Sequence, residues 1–446
     1  MTARRRTLPP RPRRNQKKTA AYAAATLAVC TSLTVGCGVL PGATGGSREP
    51  VVVMTWAPEK TRATNVPGVP AMAQAYARWV NANGGINGRE LKVLTCNDHN
   101  DTVGAAECAR RAVDEGVVAV VGSYSQHSRA FLTPLEAAGI PYIGGYGVTD
   151  KEFASSLSYP VNGGQPALMA GNGRQLAAHC KRVALIRPDS IAGDTLPELL
   201  NTSLAASRRP PAADILAAEE ATDFTSQAEQ ALTKVGADKS LATTLGRAGA
   251  AQRAREGCVT AALGDRTDTF FDSFRRTQED YQKVRISSVL GSVDQSLIDR
   301  TGGKSGPYEG AWVTGWYPVI SDHRWDPLRK VIKEHAFGDT RIEITNAGVQ
   351  TTWIAYTVLK KTVESLGDGE VTGSTLARAL DDGLRVETGG LTPPLSWRYE
   401  DTIAARDLPR LVNAHVTFQV VRDGRLVAAD AGQDSVDVSP ILEQAN

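Results

Sequence analysis

The chain has 446 residues, 41% hydrophobic and 22% charged, an ordinary globular composition in a chain too long for one core. Its net charge of +2 misleads, because eight Lys and Arg and no acid precede residue 19. Taking those eight from the 50 basic residues leaves 42 against 48 acidic ones from Cys37 onward, a net of −6, so no nucleic-acid partner is indicated.

Arg4, Arg5, Arg6, Arg11, Arg13, Arg14, Lys17 and Lys18 form a basic region, followed by an uncharged stretch over residues 19–36. Residues 1–36 read as an export signal, since a signal anchor would want ~20 strongly apolar residues. Residues 33–37, LTVGC, resemble the lipobox of bacterial lipoproteins, with Thr34 where that motif prefers Leu, Val or Ile. The resemblance implies that Cys37 is lipidated and becomes the mature N-terminus. Residues 37–50 then read as a flexible linker, which tethers the protein to the outer face of the cytoplasmic membrane.

Once Cys30 and Cys37 are set aside, Cys96, Cys108, Cys180 and Cys258 remain, an even number for an oxidising compartment. Cys96 ends a strand and Cys108 lies in the helix after it. Cys180 and Cys258 each shortly precede an apolar strand, and parallel neighbours would start nearly level. Of three possible pairings, Cys96–Cys108 and Cys180–Cys258 are expected. A zinc site built from the four lacks any CxxC pair.

The mature chain opens with a strand over 51–55, a loop over 56–70, and a helix carrying Met72, Tyr76, Trp79 and Val80 that stops at Asn83-Gly84-Gly85. A strand over 91–95 and a helix over 103–115 follow. Residues 117–121, four Val and one Ala, read as a strand buried on both faces. The polar loop 123–128 leads into a helix that ends at Gly139, and Tyr142-Ile143 resumes a strand before the loop 144–147. Such βαβ units make a doubly wound parallel sheet, so both loops emerge at its carboxyl edge, where open α/β sheets bind ligands.

Asn162-Gly163-Gly164 reads as a crossing into a second α/β series, with strands at 183–186, near Ile215, at 259–263 and 286–290, and at 311–314 beside a second crossing. Residues 232–256 form a long Ala- and Arg-rich helical stretch. An amphipathic helix over 347–366 returns to the first lobe. A hairpin over Asp423-Gly424 closes the second. The expected division is 51–161 with 316–395 as the first lobe, 162–315 with 396–430 as the second, and 431–446 as a tail.

The segments VNANGGINGRELKV (80–93), the run from 109 to 145, KRVALIRPDSIAGDTLPELL (181–200) and EEATDFTSQAEQ (219–230) resemble the type 1 periplasmic-binding-protein family. The nearest branch is the leucine/isoleucine/valine-binding receptors of bacterial ABC transporters, and the likeness covers most of 51–428. It implies an α/β fold of two Rossmann-like doubly wound lobes joined by a three-crossing hinge. It also implies a small-molecule ligand (an amino acid or amide) in the cleft between them, an ABC permease as partner, a monomer, and no cofactor, metal or catalytic step. On that resemblance Ser125, with Ser123 and Gln126, holds the ligand's carboxylate, and Thr149 contacts it with Tyr146 nearby. Asp265 or Asp294 pairs with its ammonium, and Trp56 and Trp316 form apolar walls.

Each assignment has a plainer rival. Ser123 or Ser125 caps the following helix, Thr149 is a turn residue, Asp265 pairs with Arg266, and Asp294 caps the helix at Gln295. Residues 98–101, Asp-His-Asn-Asp, read as a polar turn rather than a metal site. The enzymatic motifs fail: Tyr124 stands where a G-x-S-x-G elbow needs its Ser, and Ile298 where a phosphate loop needs its first Gly. A receptor that signals to a membrane partner without transport is the alternative from another class.

Overall fold

The computed structural model describes residues 48–445 apart from 63, 191–192, 219–220, 238, 240–255, 290, 431–434 and the side chain of Asp265. The export signal, Cys37, the linker up to Ser47 and most of the Ala- and Arg-rich stretch lie outside the described residues. Among the described residues no helix is long and apolar enough to cross a membrane.

Short runs buried on both faces build the centre of the first sheet. Its strands are β1 (Arg48–Trp56), β2 (Arg89–Cys96), β3 (Ala119–Val121), β4 (Tyr142–Ile143) and β5 (Ser158–Tyr159), all parallel, in the order β2-β1-β3-β4-β5. β1 starts at Arg48, which pairs with Arg89, so the sheet takes up the last three residues of the expected linker. β5 was not anticipated: Ser158 and Tyr159 are too short a run to stand out. Helix Thr102–Asp114 is capped by Asp101, which accepts from the Gly104 amide at 2.7 Å. Helix Ser128–Ala138 stops at Gly139, whose φ of 67° only glycine adopts freely.

The second sheet runs β12-β11-β10-β9-β8-β6-β7. Its parallel part is β6 (Arg182–Pro188), β7 (Ala213–Ala217), β8 (Gly257–Ala261), β9 (Arg285–Val289) and β10 (Trp312–Gly315), which repeats the strand order of the first sheet. β11 (His415–Arg422) and β12 (Arg425–Ala428) add an antiparallel hairpin. Asp423 and Gly424 turn it with φ of 53° and 73°, the left-handed pair that a tight hairpin requires. The expected C-terminal tail is corrected. β13 (Val436–Asp437) pairs with β11, and Ile441 and Leu442 of the short helix Ser439–Leu442 are buried, because their apolar side chains find helices Gly164–His179 and Leu196–Ala206.

Three passages join the lobes. Residues 160–163 lead from β5 to helix Gly164–His179, which packs on β9, β10 and β11. Residues 316–325 lead from β10 to helix Asp326–His335, which packs on helix Gly68–Ala82. Residues 396–414 lead back to β11. This third passage begins in the first lobe, since Trp397 packs 5.9 Å from Tyr159 and donates to the Pro160 carbonyl at 3.0 Å. Helix Ala347–Ser365 crosses helix Gly68–Ala82 with Trp353 and Tyr356 about the Tyr76 ring, at 5.2 and 5.3 Å.

Both expected disulfides form. Cys96–Cys108 ties β2 to the helix after it, with Cα atoms 5.7 Å apart. Cys180–Cys258 closes over the level starts of β6 and β8, where Val183 pairs with Cys258, with Cα atoms 5.9 Å apart.

Candidate ligand-binding site

The order β2-β1-β3-β4-β5, and its repeat in the second sheet, creates a switch point where the loops after neighbouring strands diverge. A cleft of about 410 Å³ lies between the two carboxyl edges, within the size range of small-molecule sites. The loop after β1 contributes Asn65, Val66, Pro67 and Gly68. The loops after β8 and β9, with the helices they open, contribute Gly264, Asp268, Gly291, Ser292, Asp294 and Arg300. Arg341, Glu343 and Asn346 come from the segment that enters helix Ala347–Ser365.

The lining is charged. Arg300 lies 3.6 Å from Asp268, and Arg341 grips Asp339 at 2.7 Å and approaches Glu59 at 3.9 Å. Asp294 is different: among the described residues no cation pairs with it. It caps helix Gln295–Arg300 by accepting from the Leu297 amide at 2.8 Å. Burial raises its carboxyl above the usual range and nearby Glu343 adds to this, while the Leu297 amide and Arg300 oppose it.

Beside the cleft stands a row of rings. Tyr124 is 4.9 Å from Tyr146, Tyr146 is 5.1 Å from Trp316, and Trp316 is 6.0 Å from Tyr317, so the row runs from the first-lobe loops to the second crossing. The Tyr146 hydroxyl abuts Gly291 of the second lobe, where an added Cβ would lie 2.5 Å from it. Trp316 is buried and donates from Nε1 to the Gly164 carbonyl at 2.9 Å.

Trp56, Ser123, Ser125, Gln126 and Thr149 do not line this cleft. Trp56 is fully buried, edge-on to Phe131 at 5.2 Å and stacked on Tyr142 at 6.3 Å. Strand alternation puts it with Met54 on the face covered by helices Thr102–Asp114 and Ser128–Ala138, so it is core and no wall. Ser123 is buried and its Oγ accepts from the Trp56 amide at 3.1 Å. Ser125 is buried too; its hydroxyl accepts from the His127 amide at 3.2 Å and bonds to Asp98. Gln126 is exposed, its amide donating to Tyr124 and Thr64, both at 3.2 Å.

The Thr149 hydroxyl lies 2.6 Å from Ser128 Oγ and 3.0 Å from Glu152 Oε1. Glu152 is buried and accepts from the amides of Gly147, Val148 and Thr149 at 3.0–3.1 Å. An internal carboxylate thus accepts from the Thr149 hydroxyl, the contact that the resemblance assigned to a ligand. Burial pushes the Glu152 carboxyl up, against the pull of those four bonds. Asp265 has its backbone in the turn Gly264–Arg266 and its side chain outside the described residues.

Asp294 lines this cleft, and so do Arg300, Arg341 and Glu343, which the sequence did not single out. Arg341 and Glu343 lie in the segment before Asn346, whose side chain caps helix Ala347–Ser365 by accepting from Gly348 and Val349. In the 97–101 turn, Asp101 is spent as a cap and Asp98 is buried against Ser125.

No curated protein sequence matches the chain significantly. Its fold is similar to that of a substrate-binding periplasmic protein from Ralstonia solanacearum, with a TM-score of 0.67 and 14% identity over 85% of this chain and 99% of that one. A possible leucine/isoleucine/valine-binding protein from Rhodopirellula baltica SH 1 superposes with a TM-score of 0.66 and 13% identity, over 89% and 98% of the two chains. A fatty acid ABC transporter substrate-binding protein from Thermomonospora curvata gives 0.64 and 13%, over 89% and 95%. The family model for periplasmic binding proteins matches residues 62–410, most of the chain, and with two doubly wound lobes around a charged cleft the protein belongs to that family.

Proposed function

We propose that the protein is a solute-binding lipoprotein of an ABC importer, held outside the cell by a lipid on Cys37, that captures an amino acid or similar small polar solute between its lobes. The observation that carries this reading is the 410 Å³ cleft, lined from both carboxyl edges and from the segment after the second crossing. A ligand that touches both edges stabilises the closed arrangement by its differential affinity, so capture and closure are one equilibrium. The closed form is then the one that a permease receives.

Solved neighbours differ in the ligands their names carry, one leucine/isoleucine/valine and another fatty acid. The choice of a polar solute therefore rests on the cleft itself. Asp268, Asp294, Glu343, Arg300 and Arg341 line it, and an alkyl chain laid against five ionisable groups would forfeit their hydration without return. A zwitterion matches both signs of charge. The site residues of this proposal are Asp294, Arg300, Arg341 and Glu343, with Tyr146 and Trp316 beside them.

A thermal-shift screen of the full-length chain against amino acids, amides, sugars, fatty acids and aromatic acids tests it. Saturation at 100 times Kd adds about 2.7 kcal/mol of stability, so an amino acid or amide should raise Tm by several degrees. A shift given only by fatty or aromatic acids overturns the ligand class. A shift that survives Ser296→Trp, which fills the cleft, overturns the site.

A further inference from the structure

The two sheets face each other with their carboxyl edges, so each lobe also has an outer edge, where strands begin and helices end. These two edges differ in charge. In the first lobe the helix ends and nearby turns carry Asp114, Glu115, Glu136, Asp368 and Glu370. Its cations are occupied: Arg48 and Arg111 pair with Asp368 and Glu115, and Arg89 is buried against the carbonyls of Gly367 and Gly369. In the second lobe the strands start with Lys181, Arg182, Lys283 and Arg285. Its helices end at Arg208, Arg209 and Lys234. Cations at a helix end answer the helix dipole. The fold does not demand them, since first-lobe helices Gly68–Ala82, Ser128–Ala138 and Ala347–Ser365 have none in their last turn.

The second-lobe cations form one surface. Arg209 donates to the Ala177 carbonyl at 3.0 Å, which brings it to the end of helix Gly164–His179. There His179 lies against the half-buried Trp312 ring at 4.6 Å, and Arg285 lies over the same ring at 5.0 Å. Arg182 donates to the Val235 carbonyl at 2.8 Å, beside Lys234. Most acids of this edge are engaged. Lys181 holds Glu256 at 2.8 Å, Arg275 holds Glu279 at 3.7 Å and Lys304 holds Asp423 at 2.6 Å. Glu309 accepts from the Asp423 and Gly424 amides at 2.9 Å, which leaves Asp280. Among the described residues no acid pairs with Arg208, Arg209, Lys234, Lys283 or Arg285. This surplus belongs to a chain whose 42 basic and 48 acidic residues from Cys37 onward give a net of −6.

We propose that the outer edge of the second lobe rests on anionic phospholipid headgroups, so that the protein lies lengthwise along the membrane. This goes beyond the proposed function and draws on one part of it, the lipid on Cys37. Eleven peptide units lie between Cys37 and Arg48, a reach of at most about 36–40 Å. Arg48 opens β1 at the outer edge of the first lobe. The tether therefore holds one end of the molecule and the basic edge touches down at the other, with the cleft between them. Each cation gains modestly at an anionic surface, so several must act together, and tethering raises their effective concentration. Trp312 beside Arg285 suits the headgroup level, where an aromatic ring with a polar edge is favoured. Without the lipid the contact is weak and yields to salt, so it does not by itself hold the chain in a membrane fraction.

The test is co-sedimentation of the mature chain, residues 37–446, which contains every described residue. Cys37→Ala removes the lipid as a cause of binding. The vesicles are phosphatidylcholine alone, or the same with about 30% phosphatidylglycerol to supply the negative surface. The protein should sediment only with the phosphatidylglycerol vesicles, and less so as salt is raised. Lys283→Glu with Arg285→Glu should bind at least about 10-fold more weakly. Lys330→Glu with Lys333→Glu, exposed on helix Asp326–His335 of the first lobe, should bind like the parent chain. All four positions are exposed, and circular dichroism checks that both double variants fold. Equal binding to the two vesicle types, binding to neither, or equal losses in the two double variants would overturn the proposal and leave ligand capture untouched. Retention on immobilised polyglutamate without vesicle binding would overturn it in favour of an acidic protein partner.

Discussion

The hydroxyl of Tyr146, on a first-lobe loop, meets Gly291 of the second lobe so closely that a methyl group there would stand 2.5 Å from it. Gly291 also has φ of 90°, a backbone conformation that side-chain-bearing residues avoid. The two edges of the cleft therefore touch at a point where glycine is needed twice over.

Gly291→Ala should cost about 1–2 kcal/mol from backbone conformation alone and should weaken ligand binding by keeping the edges apart. Tyr146→Phe removes the atom at 2.5 Å, and the next ring atom is 3.7 Å away, so the alanine should be better tolerated in that background. Melting temperatures of the four-member cycle, with and without ligand, read this. Strictly additive losses would mean that the two residues do not meet.

Asp98 offers a pH-dependent prediction. It is fully buried, Oδ1 accepts from Asn100 at 3.2 Å, and Oδ2 is buried without a partner. Burial raises its carboxyl, and the bonds from Ser125 and Asn100 only partly oppose this. A carboxyl raised on folding favours the folded state most when protonated, and that advantage is lost as pH rises through the folded value. Asp98→Asn should therefore gain on the wild type as pH climbs from the ordinary carboxylate range through the raised folded value. Melting curves across that range check it, and a constant, pH-independent loss would contradict it.

The two disulfides should differ in worth. Cys180–Cys258 spans 78 residues and Cys96–Cys108 spans 12. By loop-closure entropy their removal costs about 4–5 and about 3 kcal/mol. Urea titration of the paired Cys→Ser variants should show the larger fall in midpoint for Cys180 and Cys258.

The lipid anchor is tested by Cys37→Ala. The expected outcome is a protein that leaves the membrane fraction for the soluble one, still folded, as read by fractionation and circular dichroism. Retention in the membrane fraction would refute lipidation at Cys37.

Much of the fold was legible because it is written in short periods. Residues 117–121 are apolar without interruption, and β3 lies between β1 and β4. Asp423-Gly424 announced its hairpin, and level strand starts announced Cys180–Cys258. Less of the site was legible. Thr149 and Glu152 form the T-x-x-E pattern in which the acid reaches back to the threonine amide, and that local signal went unread. Ser125 could not have been read so, because its partner Asp98 lies 27 residues earlier and meets it only across the sheet edge.

By itself, then, the sequence determined the two doubly wound lobes and the disulfides. They follow from short apolar runs, glycine placement and the parallel strands of βαβ units, signals that act mostly over a few residues. Tertiary structure alone decided which polar groups are free. It set Ser123 against the Trp56 amide and Ser125 against Asp98, and it buried Trp56 in the core. It also gathered Asp294, Arg300, Arg341 and Glu343 from segments that touch only when the lobes face each other. A hydroxyl's availability depends on where every neighbouring donor and acceptor ends up, and beyond the pattern at Thr149 nothing local marks it: the partner of Ser123 lies 67 residues away.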